Sequence, residues 1–342
     1  MPPAGAPPGK TPSFEQPLRA EEMERVLGDV MAGRMRDEEI AAFLTTLARR
    51  GETAEELAAA VGVLRRHAVR LPLPPSLKVG DTCGTGGDGM GTINISTLAA
   101  LTAAAAGVAI VKHGNRAASS RCGSADLLEA LGVNLEAGPE QVARSVAELG
   151  FGFCFAPRFH PAMKAVASVR KALGIRTIFN LIGPLANPAA LTFQLIGVPE
   201  RRLLGPMADT LVRLGLRRAM VVHGSDGMDE ATTTGPTEFL EVRGGRVSEG
   251  RLEPERFGLP RARSEALRGG DAAFNAGVAR ELLAGAHSPA RDIVALNAGC
   301  VLYVADRAPT VQDGVERAEA ILDAAAPLAL LERVKELSCR SN

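Results

Sequence analysis

The sequence predicts an α/β protein in two units: a small N-terminal all-helical domain and a large α/β domain with a mostly parallel central sheet. Three observations predict it. Between Arg19 and Leu71, apolar residues recur at three- and four-residue spacing, the period of amphipathic helices. Beyond Val79, short apolar runs alternate with helical stretches, the rhythm of strand–helix–strand units and a parallel sheet. Between the two lies LPLPP (71–75), which stops the helices.

The elements follow in order. AEEMERVLGDVMAG, RDEEIAAFLTTLARRG and TAEELAAAVGVLRRHA each begin near acidic residues, and two of them end in Gly, as helix termini prefer. In the second, Ile40, Phe43, Leu44 and Leu47 share one face. A short strand after Val79 then enters a Gly-rich loop, a helix covers about 97–106, and VAIVK (108–112) is a buried strand. One helix ends at Gly132, and another runs from Pro139 to Gly150. FGFCFA (151–156), TFQLIGV (192–198) and RRAMVVHG (217–224) are strands, with a helix starting near Glu200 between the last two. EFLEVRGGRV reads as a hairpin, and helices fill about 272–285, 290–304, 310–324 and 327–338. The chain thus divides into a disordered tail (1–16), a helical domain (17–75, completed by helices around 160–190) and an α/β domain (76–342).

Composition narrows the function classes. Lys and Arg number 39 and Asp and Glu number 39, so no bulk charge points to nucleic acid or an acidic membrane. Aromatic residues are 4% with no Trp, which disfavours a base-stacking platform. Five scattered cysteines without a CxxC pair suit a reducing interior and argue against a structural zinc site. The start MPPAGAPPGKTPSFEQP lacks the apolar core of a signal peptide, and no apolar run reaches membrane-spanning length. The expectation is a cytoplasmic protein with no nucleic-acid or membrane partner.

The chemistry lies in three loops that follow strands, where open α/β sheets bind ligands. The first, GTGGDGMGTINIST (84–97), packs five glycines into Gly84–Gly91 ahead of a helix. Gly84-x-Gly86-x-x-Gly89 formally matches a dinucleotide fingerprint, but the next strand ends in Lys112-His113 where that fold needs an acid. No Gly-Lys-Ser/Thr of a P-loop is present either. A phosphate remains the better ligand: bare backbone N–H groups, a helix N-terminus, the hydroxyls of Ser96 and Thr97 and the Asn94 amide can converge on an anion. The blander alternative, that Asn94 and Ser96 merely cap the helix, leaves the glycines unexplained. The second loop, KHGNRAASSRCGSAD (112–126), adds cations and hydroxyls. The third, HGSDGMDEATTTGP (223–236), carries Asp229 and Glu230 side by side; opposite a phosphate crevice such a pair suits Mg²⁺, with Asp88 and Ser96 adding oxygens. A further stretch, residues 155–188, reads as a cationic helix and a tight GPLANP turn.

GTGGDGMGTINIST, KHGNRAASSRCGSADLLEALG, VRKALGIRTIFNLIGPLANP and HGSDGMDEATTTGP, in that order and spacing, together resemble the anthranilate phosphoribosyltransferase family over about 20–338. The resemblance implies the nucleoside phosphorylase/phosphoribosyltransferase class of α/β fold and transfer of phosphoribose from PRPP to the amine of anthranilate, in tryptophan biosynthesis. It implies a PRPP site at Gly84, Gly87, Asp88, Thr92, Asn94, Ile95, Ser96, Thr97, Lys112, His113, Gly114, Asn115, Arg116, Ala117, Ala118, Ser119, Ser120 and Ser124. Gly84, Asn115 and Arg170 would meet anthranilate, while Ser96, Asp229 and Glu230 would hold Mg²⁺. His113 is a candidate acceptor for the late proton. A homodimer through the helical domain is also implied. Cys122 stands where the family often has serine, and Ser168 where proline often precedes the arginine. Two rival readings are a pyrimidine nucleoside phosphorylase, disfavoured by Arg170 and the Asp229-Glu230 pair, and a non-catalytic nucleic-acid-binding relative, disfavoured by the net charge of zero.

Overall fold

The computed structural model describes residues 14–117 and 120–340. Three helices open it: α1 (Ala20–Met31), α2 (Asp37–Arg50) and α3 (Ala54–His67). Thr53 caps α3 by accepting from the Glu56 N–H, and Glu56 reaches back to the Thr53 N–H. Its buried carboxylate also pairs with Arg50 and accepts from the Leu18 N–H, stitching the bundle internally. Residues 14–16, expected in the tail, are instead held: the Phe14 ring meets Phe43 edge-on at 5.0 Å. The rest of the expected tail, 1–13, lies outside the described residues.

The α/β unit runs β1 (Val79–Gly84), α4 (Ile95–Ala105), β2 (Ala109–Gly114), α5 (Ser124–Ala130), α6 (Pro139–Leu149) and β3 (Phe151–Phe155). The chain then leaves the sheet through α7 (Ala156–Phe159), α8 (Lys164–Leu173) and α9 (Ile178–Ile182). It returns as β4 (Phe193–Gly197), α10 (Leu204–Arg213), β5 (Arg218–Gly224) and the hairpin β6 (Thr237–Arg243) and β7 (Arg246–Leu252). Four helices finish it: α11 (Ala272–Leu283), α12 (Pro289–Val304), α13 (Val311–Asp323) and α14 (Ala326–Cys339). The excursion is structural, since α8 packs on α1 and α2, and α9 on α2 and α3.

The sheet order is β3-β2-β1-β4-β5-β6-β7. The pairs from β3 through β5 are parallel, and the two involving β6 are antiparallel. Both faces are covered, and the strand period of two shows it. Met220 and Val222 pack into the cluster beneath α4 and α12, whereas Ala219 and Val221 join the cluster shared by α10 and the helical bundle. The order reverses direction between β1 and β4, so the carboxyl ends of those two strands open the crevice where a ligand belongs.

Candidate functional site

The three loops expected at one sheet edge do meet there. At the ends of β1 and β4, Gly84 pairs with Gly197, and the Asp229-Glu230 segment crosses directly over both. A Cβ on Gly84 would overlap the Asp229 carboxylate, and one on Gly197 would overlap the Asp229 carbonyl. These two glycines are clearance for the protein's own acidic turn. The main chain of the first loop also holds that turn: the Gly86 N–H donates to Asp229 Oδ2 at 2.6 Å.

Asp226 shapes the acidic turn. It accepts from the hydroxyls of Thr232 and Thr234 and from the Met228 N–H. Asn297, fully buried on α12, clamps the far side, accepting from the Ala231 N–H at 3.0 Å and donating to its carbonyl at 2.7 Å. Glu230 lies at the start of α4, where the Ser96 N–H donates to its Oε1 at 3.2 Å. Asp229 and Glu230 are 8% exposed each, and burial pushes both carboxyls up, with Asp88 adding repulsion to the first and Asp229 to the second. Two adjacent carboxylates held this way form a hard-oxygen donor set that suits a divalent cation. Among the described residues no group of three or more His, Cys, Asp or Glu is placed to hold a metal ion by itself.

Lys112 on β2 is 2% exposed and donates from Nζ to the Thr82 carbonyl at 2.8 Å, and its charge draws down the carboxyls of both Asp81 and Glu230. Asp81 accepts from the Thr82 and His113 N–H groups and from Asn187 of the GPLANP turn. Burial raises its carboxyl to about 6 against the pull of Lys112.

Asn94 precedes α4, yet its side chain does not cap the helix. It donates to the Cys122 carbonyl at 3.0 Å and accepts from Asn275 of α11 at 2.9 Å, so it ties the second loop and α11 to the first. The Cys122 thiol, 3.4 Å from Asn94 Oδ1, joins that tie. Ile95 and Thr97 are buried at the start of α4, and Thr92 bridges to Arg268. Asp88 turns back onto the Met90 N–H. Gly87 lies beside Arg176, and Gly114 under Ser124.

The second loop departs from expectation at Arg116. Its guanidinium pairs with Asp126 and Glu129 of α5 and lies 5.6 Å over the Phe155 ring, so two carboxylates already neutralise it. The Ala117 N–H is taken by Asp126, Ser120 Oγ lies 3.4 Å from the Cys122 carbonyl, and Ser124 Oγ donates to the Asn115 carbonyl. Asn115 itself is exposed just past the carboxyl end of β2, and Ala118 and Ser119 lie outside the described residues.

His113 also changes role. Its Nε2 is buried without a partner, and its ring lies 5.0 Å from that of His160. Burial, then His160 and Lys112, lower its pKa to about 3. An imidazole so resistant to charging is a poor proton acceptor, and we assign it no proton-transfer step. It should govern acid stability instead. It ionises near 6.5 unfolded and near 3 folded, so its contribution is complete above pH 6.5 and is lost as pH falls towards 3. His113→Asn should therefore lose about 2 kcal/mol less than wild type between pH 6.5 and 5, read by urea unfolding; parallel losses would refute this.

Arg170, on α8, stacks 5.3 Å over Phe179 of α9. It is half-buried, burial lowers its pKa, and it makes no ion pair among the described residues. Ser168 is an exposed α8 residue, and Phe179 holds the guanidinium regardless.

Comparison with known proteins gives one answer. Residues 77–326 match the model of a glycosyl transferase family α/β domain, and residues 13–68 that of the same family's helical bundle domain. A protein of Rubrobacter xylanophilus named anthranilate phosphoribosyltransferase is 52% identical over 326 residues, 95% of each chain. The crystal structure of the Thermus thermophilus anthranilate phosphoribosyltransferase superposes with a TM-score of 0.91 at 47% identity, covering 96% of this chain and 98% of that one. The Saccharomyces cerevisiae enzyme in complex with PRPP and Mg superposes with a TM-score of 0.87 at 27% identity, covering 94% and 93%.

Proposed function

We propose that this chain, which belongs to the anthranilate phosphoribosyltransferase family, transfers the 5-phosphoribosyl group of PRPP to the amine of anthranilate and releases pyrophosphate, a step of tryptophan biosynthesis. The observation that carries the reading is the Asp229-Glu230 pair laid over the carboxyl ends of β1 and β4, facing the glycine loop. Asp229, Glu230 and Ser96 would hold Mg²⁺, and the donor set fits it. Bound there, Mg²⁺ supplies positive charge for the pyrophosphate oxygens.

The protein's own groups do the rest. The C1–O bond of PRPP breaks as the C1–N bond forms, and negative charge collects on the pyrophosphate. Main-chain N–H groups of the first loop and the buried Lys112 favour that charge. The acceptor amine is already neutral at pH 7, so attack needs no strong base; its proton can leave to solvent afterwards. Positioning counts more. Arg170, held by Phe179 with no carboxylate of its own, is set to take the anthranilate carboxylate, and the exposed Asn115 to orient the ring. The remaining PRPP contacts, Gly84, Gly87, Asp88, Thr92, Asn94, Ile95, Thr97, Gly114, Ser120 and Ser124, are proposed on the same reading.

Mixing the protein with PRPP, Mg²⁺ and anthranilate should extinguish anthranilate fluorescence only when all three are present; no loss would defeat the reading. Arg170→Ala should raise the anthranilate KM by about 10- to 100-fold and the PRPP KM far less. Equal rises would remove Arg170 from the acceptor site. We also propose a cytoplasmic homodimer joined through the helical domain. Support for the compartment is that all five cysteines are free. No helix of the described residues is long and apolar enough to cross a membrane.

A further inference from the structure

The crevice holds fewer available cations than its anionic substrate calls for. Asp88, Asp229 and Glu230 gather at its floor, and Lys112 is the buried cation set against them. The second loop was expected to bring Arg116, but Asp126 and Glu129 consume that charge. A guanidinium from another direction is only loosely paired, with Glu200 of the loop after β4. Arg176 lies in the turn between α8 and α9, after the left-handed Gly174 that ends α8. Its Nη2 is buried and has no hydrogen-bond partner. Its Nη1 lies 3.8 Å from Glu200 Oε1, too far for a hydrogen bond. A Cβ built on Gly87 would sit 3.7 Å from that Nη1, so the guanidinium lies along the glycine loop. A buried N–H without an acceptor costs free energy that a bound anion would recover.

We infer that Arg176 binds a phosphate group of PRPP, reaching from the α8–α9 turn to the glycine loop at Gly87. The inference rests on the proposed transferase reading for the identity of the donor. Its geometry has a further consequence. Because α8 and α9 pack on the helical bundle while Gly87 follows β1, a phosphate held by both would couple the two units. Arg170 and Arg176 then divide the labour: the first takes the acceptor's carboxylate, the second the donor's phosphate.

The test uses pyrophosphate with Mg²⁺ as the probe, titrated calorimetrically into the whole protein without anthranilate. Arg176→Met should weaken pyrophosphate binding by about 10- to 100-fold, the effect of losing a charge-assisted hydrogen bond. The PRPP KM should rise in step while the anthranilate KM stays within about twofold of wild type. Unchanged pyrophosphate affinity would overturn the assignment, as would a KM rise confined to anthranilate or shared equally by both substrates. Thermal melting checks the fold. If Arg176→Met fails to fold, Arg176→Gln carries the same test with the same outcomes. If the wild type binds pyrophosphate through Arg176 yet leaves anthranilate unconsumed, the acceptor reading has failed and this one has not.

Discussion

Asp229→Asn combined with Glu230→Gln should lower kcat roughly 10³-fold or more while the protein stays folded. The two replacements keep the shapes of the side chains and remove their charges. The carbonyl of an asparagine at 229 can still accept from the Gly86 N–H, so the turn keeps that anchor. Burial, with repulsion from Asp88 on Asp229 and from Asp229 on Glu230, already pushes both carboxyls up, so neutralising them relieves a cost. The melting temperature should hold or rise as activity disappears, which separates loss of a metal ligand from loss of fold. A Mn²⁺ titration followed by electron paramagnetic resonance gives a reading independent of turnover: wild type should bind in the presence of pyrophosphate and the double variant should not. Turnover that survives with its Mg²⁺ dependence intact would remove the pair from metal binding.

Gly197→Ala should be nearly as severe by a different route. β4 is buried at every position, and the new Cβ would overlap the main-chain carbonyl of Asp229, which no rotamer change can relieve. Either β4 retreats within the sheet or the acidic turn lifts from the strand ends. Overpacking of this kind costs about 3 kcal/mol, and the lifted turn would carry Asp229 out of reach of Gly86. Gly205 on α10 is the matched control, because a Cβ there meets nothing within 4 Å. Gly205→Ala should be neutral or slightly stabilising. A Gly197→Ala protein with wild-type melting temperature and activity would mean that the turn does not depend on the strand end beneath it.

Much of this was legible in the residues because it repeats. The helical period around Ile40 and Phe43, the strand runs VAIVK and RRAMVVHG, and the terminal helices all announce themselves by spacing, and all are present. Among site groups, the glycine loop and the acidic pair were visible as clusters. What stayed hidden has no period. Asn187, Asn275 and Asn297 are single asparagines inside apolar or turn segments, and only the fold reveals that each bridges two stretches of main chain or a neighbouring loop. Each is nearly fully buried, and an asparagine among the apolar residues of a helix is the one sequence signal that could have marked Asn275 and Asn297. Arg116 misled for the opposite reason. Its charge was plain in the loop, but its partners Asp126 and Glu129 lie on the next helix at positions that look like ordinary surface acids.

The excursion of α8 and α9 into the helical bundle sets an order of events during synthesis. The apolar faces of α1–α3 share a cluster with Val166, Val169, Ile178, Phe179 and Ile182. Yet α3 ends at His67 and α8 begins at Lys164, so the ribosome must make three of the seven strands before the bundle can close. At roughly 5–20 residues per second that interval is on the order of ten seconds. Throughout it the faces of α2 that α8 and α9 will cover emerge without those partners, a surface that invites chaperones or a neighbouring nascent chain. Arg170, which we propose takes the acceptor's carboxylate, thus arrives on the same segment that covers α2.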